Sequence, residues 1–250
     1  MSTPIAHLSP RPPAARATVP GTLLVASSLL AVFVMAHHPS TSSHSMDAAL
    51  VEMAQKAPLA KIVHGGLIAL MAVQAFALLE LSTHLGWHRP AVRAAVLAYV
   101  AGSLAMVGAA LISGFLLPNL ALRFEGAIGD AAEPLRYVVG ASSLANRSLA
   151  TFGALAMATG IVLWSSVLAR RTLVARIVAA LGFLVGVVPG VALLLGALRL
   201  EVPGMTFVVV AQATWNVAVG FCLARGKLSP VARPEETAFQ QGRKPSSPSM

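Results

Sequence analysis

Six apolar runs separated by more polar stretches organise this chain. They cover 17–36, 62–79, 94–117, 148–169, 177–198 and 203–224, and none contains Asp, Glu, Lys or Arg. Each is roughly 18–24 residues, and about 20 helical residues cross the ~30 Å hydrocarbon core at about 1.5 Å rise each. None alternates polar and apolar residues as a barrel strand does. Backbone groups in lipid must bond within their own segment, so the runs predict helices. The expected fold is an all-α integral membrane protein, a six-transmembrane-helix bundle. The membrane domain is expected at 17–225, with spans near 17–36, 60–81, 94–117, 148–169, 177–198 and 203–224. The Pro-rich segment 1–16 and the Pro-, Ser- and charge-rich segment 226–250 are expected to be disordered tails.

Two of the connections are long. In the first, 37–58, Leu50, Met53, Ala54 and Ala57 recur at i, i+3, i+4 and i+7. That spacing predicts an amphipathic helix on the membrane surface, with Ser45 as its cap, Asp47 in its first turn and Pro58 ending it. The third connection, 118–147, breaks at Gly126–Asp130, after which Pro134 suits a helix start. A helix from there to Arg170 would be about 54 Å long, so it protrudes from the bilayer or bends near Ser142–Asn146.

Charge orients the bundle. The tails and the second and fourth loops hold 12 of the 18 Lys and Arg, and the six on the other side are balanced by six acids. The positive-inside rule therefore predicts both termini in the cytoplasm. A net charge of +9 in a soluble protein would point to nucleic acid; here it reads as sorting and attraction to anionic lipid. The dominance of Arg over Lys and the abundance of Ala suggest a GC-rich bacterial genome and hence the bacterial cytoplasmic (inner) membrane. A competing reading makes 1–36 a signal peptide cleaved after Val34-Met35-Ala36, leaving five spans; its apolar run is long for that role.

Small residues predict where helices meet. Ala101, Ala105, Ala109 and Ser113 form one stripe, Ala150, Ala154 and Ala158 another, and Gly182, Gly186 and Gly190 a double GxxxG. Packing within the chain is the plain expectation. A homodimer or partner-protein seam through Gly182, Gly186 and Gly190 is the sharper one.

Two layers of polar residues carry the candidate chemistry. At the outer ends of the first two spans lie His37, His38, His44 and His64, which are candidates for copper, zinc or haem iron. The string HHPSTSSH matches no fixed metal spacing, and solvated, helix-capping histidines are the plain alternative. Nearer the midplane lie Gln74, Gln212, Trp215 and Asn216, with Gln212 and Asn216 on one helix face. Together with Arg147 at the outer boundary they are candidate ligand-binding residues. Pro189 would free the carbonyl of Val185 beside them. No acid or base sits at the midplane, which argues against a proton- or ion-driven pump. No HExxH, Walker A, CxxC or GxSxG occurs, and the single Cys222 permits no internal disulfide. The expectation is a non-catalytic small-molecule-binding, transport-type or accessory membrane protein. A metal- or haem-binding redox protein and a purely structural subunit are the alternatives.

Overall fold

In a computed structural model of the protein, the described residues are 14–40, 43, 45–125 and 132–228. The tails beyond them, His44 and the Gly126–Asp130 break lie outside these residues. The chain is all-α. The helices are α1 (Ala14–Ala36), α2 (Met46–Gln55), α3 (Ala57–Leu85), α4 (Pro90–Leu111), α5 (Leu117–Glu125), α6 (Ala132–Leu168), α7 (Leu173–Leu194) and α8 (Val202–Ala224), with a π-helical turn, Ile112–Leu116, joining α4 to α5. Among the described residues, six helical stretches are long and apolar enough to cross a membrane: Thr18–Ala36, Ala57–Leu85, Pro90–Phe124, Glu133–Leu168, Leu173–Leu194 and Val202–Ala224. The protein is therefore a multi-pass integral membrane protein.

The six spans form a closed ring in chain order. α1 packs on α3, α3 on α4, α4 on α6, α6 on α7, α7 on α8, and α8 returns to α1. Glycines set the two closest crossings. A Cβ on Gly21 would lie 2.5 Å from the Gly220 carbonyl oxygen, and one on Gly220 would lie 2.7 Å from that of Gly21. Bare backbone against bare backbone is what closes α8 onto α1. On the other side, Gly102 of α4 and Gly153 of α6 meet in the same way, and Gly160 meets the Ala95 carbonyl. The Gly182 and Gly186 face of α7 is also taken up within the chain. Gly182 lies against Ser165 and Trp215, Gly186 against Val162 and Ala158, and Gly190 is buried too. All three glycines are thus buried within the chain.

Helix ends follow ordinary capping chemistry. Ser45 accepts a bond from the Ala48 N–H at 3.2 Å and opens α2, and Thr172 does the same for α7 through Ala175 at 3.3 Å. Gly86, Gly196 and Gly226 take positive φ just past α3, α7 and α8, where a side chain would be strained. Pro58 differs from expectation. It lies in the first turn of α3, where no N–H is needed, rather than ending α2.

The expected loop 118–147 is mostly helix. Pro118 does not stop the third span but sits inside it, and the π-turn explains how. In an α-helix the proline ring would strike the carbonyl four residues back, at Gly114. The wider turn, with Leu117 N–H bonded to Ile112 O, absorbs that conflict. Beyond it, α5 carries Leu117, Leu120 and Ala121 into a small second core with Leu50 and Ala54 of α2 and Val139 of α6. A two-pronged ion pair, Arg136 Nε to Asp47 Oδ1 at 2.8 Å and Nη2 to Oδ2 at 2.9 Å, ties α6 to α2 outside this core. α6 itself runs unbroken for 37 residues.

Candidate functional site

The two ends of the ring differ. At the end shared by the start of α1 and the close of α8, aromatic side chains fill the interior of the bundle, and a separate shallow pocket beside Arg89 and Arg170 lies at its edge. Trp164 donates to Ser82 Oγ at 2.9 Å, stacks on Trp215 at 6.1 Å and meets Tyr99 at 5.4 Å. Arg171, in the turn after α6, donates to the carbonyls of His84 and Leu85 at the end of α3 and to that of Leu228. Burial, and then the charge of nearby Arg89, lower the pKa of Arg171.

At the opposite end the ring encloses a cavity of about 280 Å³. Every span except α7 lines it. Gln74 of α3 and Gln212 and Asn216 of α8 face it, together with Asn146 of α6 and Ser113 of the π-turn. The three midplane amides expected to act together thus share one space. Asn216 is 2 % exposed, and among the described residues neither its Oδ1 nor that of Asn146 has a hydrogen-bond partner. Gln74 approaches Ser28 Oγ at 3.5 Å, a long contact that leaves most of its capacity unused. Buried amide oxygens without partners are costly, and they lie where an incoming donor would satisfy them.

Trp215 and Arg147 are placed elsewhere. Trp215 is fully buried in the aromatic stack, and Arg147 is exposed on α6. Pro189 is buried within α7 and lines no part of the cavity.

The histidine layer divides. His38 and His64 line the top of the cavity with their Nε2 atoms 3.2 Å apart. His37, one residue away on the chain leaving α1, is exposed and turns back to the Phe33 carbonyl at 2.9 Å. His64 is fixed on three sides. Its Nδ1 lies 2.8 Å from the Ala60 carbonyl, so Nδ1 carries the hydrogen and donates it. Its ring packs on Gly114 of the π-turn, where an added Cβ would collide with His64 Cβ. Its Nε2 therefore presents a lone pair, which accepts from His38 Nε2–H. The segment holding His38 is anchored in turn by Lys56, which donates to the Ser40 carbonyl at 2.6 Å and pairs with Glu52 at 2.7 Å. Burial, and secondarily the facing His64, push the pKa of His38 down to about 4, so it is neutral at pH 7.

Sequence reasoning missed the π-turn and the methionines. Met35, Met71, Met106, Met157 and Met205 all line the cavity, although the chain has only nine Met. Their spacing along the sequence shows no pattern; only the closed ring brings them together. No family model matches the chain, and no curated protein or solved structure matches it either.

Proposed function

We propose that this protein is a non-catalytic membrane-embedded binding protein, of transport or accessory type, whose cavity receives a small, largely apolar molecule with a hydrogen-bonding group. The observation that carries this reading is the convergence of Gln74, Gln212 and Asn216 on one space with the Asn216 oxygen unpartnered. Binding sites are commonly apolar clefts of about 300–1,000 Å³ with a few placed polar groups, so about 280 Å³ bounds the ligand at the small end. The basic residues of the tails and short loops support a setting in the bacterial cytoplasmic membrane with both termini inside. Entry then falls on the outer side, where exposed Glu201 forms part of the cavity's edge. Mass spectrometry of the organic extract from protein purified in nanodiscs tests the reading. One small species at one per chain is expected, and Asn216→Leu, which keeps volume while deleting the amide, should release it. An extract holding bulk lipid only, identical in both proteins, would refute it.

A further inference from the structure

The mouth of the cavity carries a second kind of chemistry, which does not depend on the amide site below it. We propose that His38 and His64 form a binding site for one soft monovalent metal ion of the Cu(I) class, completed by thioether sulfur from the methionine wall.

Three observations support it. First, the pair has the bite of a ligand set. Two nitrogens bound tetrahedrally at about 2.0–2.1 Å lie about 3.3 Å apart, and His38 Nε2 and His64 Nε2 stand 3.2 Å apart. Second, His64 is held as metal-binding histidines are. Its Nδ1–H is engaged by a backbone carbonyl, which fixes the ring and frees Nε2. Third, the glycine at the π-turn places that ring. Any side chain at position 114 would displace His64, and π-bulges recur at functional sites. Metal binding moves the His38 proton from Nε2 to Nδ1, so both Nε2 lone pairs reach the ion and no net proton is released.

The remaining donors select the metal. Among the described residues no third His, Cys, Asp or Glu joins the pair at metal-binding range. Zinc sites draw on such groups. Thioethers, which favour Cu(I), are abundant instead: Met35 lies three residues before His38, and Met205 lies on the facing α8. A site of neutral imidazoles and thioethers provides no counter-charge. It therefore suits a monovalent ion far better than a divalent one, whose burial cost rises steeply with charge.

The test is an anaerobic titration of the full-length protein in detergent with Cu(I), in competition with a chromogenic Cu(I) chelator, followed by X-ray absorption at the copper edge. One Cu(I) per chain is expected, with both nitrogen and sulfur in the first shell. His38→Ala, in a non-helical segment, should weaken binding by more than the ~10–100-fold that outer-shell changes cost. Met205→Leu and Met35→Leu, which keep volume, should reduce the sulfur signal singly or together. Cys222→Ser, outside the cavity, should leave Cu(I) binding unchanged. No stoichiometric Cu(I), an affinity indifferent to His38→Ala, a shell without sulfur, or a preference for Zn(II) would each overturn the proposal.

Discussion

The two halves of this ring are built from the same six helices and behave as opposites. Where Arg171 bonds the end of α3 and the carbonyl of Leu228, the large side chains fill the interior: Trp164 has Ser82, Tyr99 and Trp215 around it, although Trp215 Nε1 itself finds no hydrogen-bond partner. Where His38 and His64 meet, the wall is alanine and methionine, the centre is open, and Asn146 and Asn216 keep polar atoms unpartnered among the described residues. Without a hydrophobic drive between helices in lipid, association rests on close packing and interhelical hydrogen bonds. The solid half supplies both, which lets the other half carry unfilled volume. The aromatic packing and the candidate site thus lie at opposite ends of the helix ring.

The comparison can be broken most forcefully from the solid side. Trp164→Ala removes a side chain that is 1 % exposed and both its stacking and its bond to Ser82. About 3 kcal/mol of stability should be lost in reversible SDS unfolding. Met205→Leu, on the cavity wall, should cost less than about 1.5 kcal/mol. Equal losses would mean the two halves are not distinct. Next in size is the ring closure. Gly21→Val drives a side chain into the Gly220 carbonyl and should cost about 1–3 kcal/mol, measured in the same assay.

The open half can also be probed through pH. His38 takes up its proton near pH 4 when folded, against 6.5 for a free histidine. Between those values the unfolded chain binds more protons, so stability should fall as pH is lowered from 6.5 toward 4 and then level off. His38→Gln should flatten that slope in a melting-temperature series.

The spans were readable because run length and charge alone define them in lipid. The cavity's amides were readable too, because counting depth along each run placed Gln74, Gln212 and Asn216 at one level. Other features depend on which way a residue faces, and depth is silent on that. Trp215 shares the level of Asn216 but points into the aromatic stack. His37 and His38 are adjacent, so as the chain leaves α1 they point to different sides. Pro118 reads as a loop start, yet a π-turn absorbs it and leaves Gly114 against His64. Gly21 and Gly220 are single residues on distant helices, so no spacing announces that they close the ring. The dependence of Asp47 on Arg136 is equally hidden, since 89 residues separate them.

The most direct test of the contrast between the halves uses single cysteines in a Cys222→Ser background. Met205→Cys lies on the cavity wall, and Ala95→Cys lies in the solid half at 0 % exposure. Both are treated with a small, charged thiosulfonate reagent in intact membrane vesicles, and the rates of modification are compared. The account predicts that Met205→Cys reacts readily from the histidine side and Ala95→Cys stays inert. Similar rates at the two positions would contradict it.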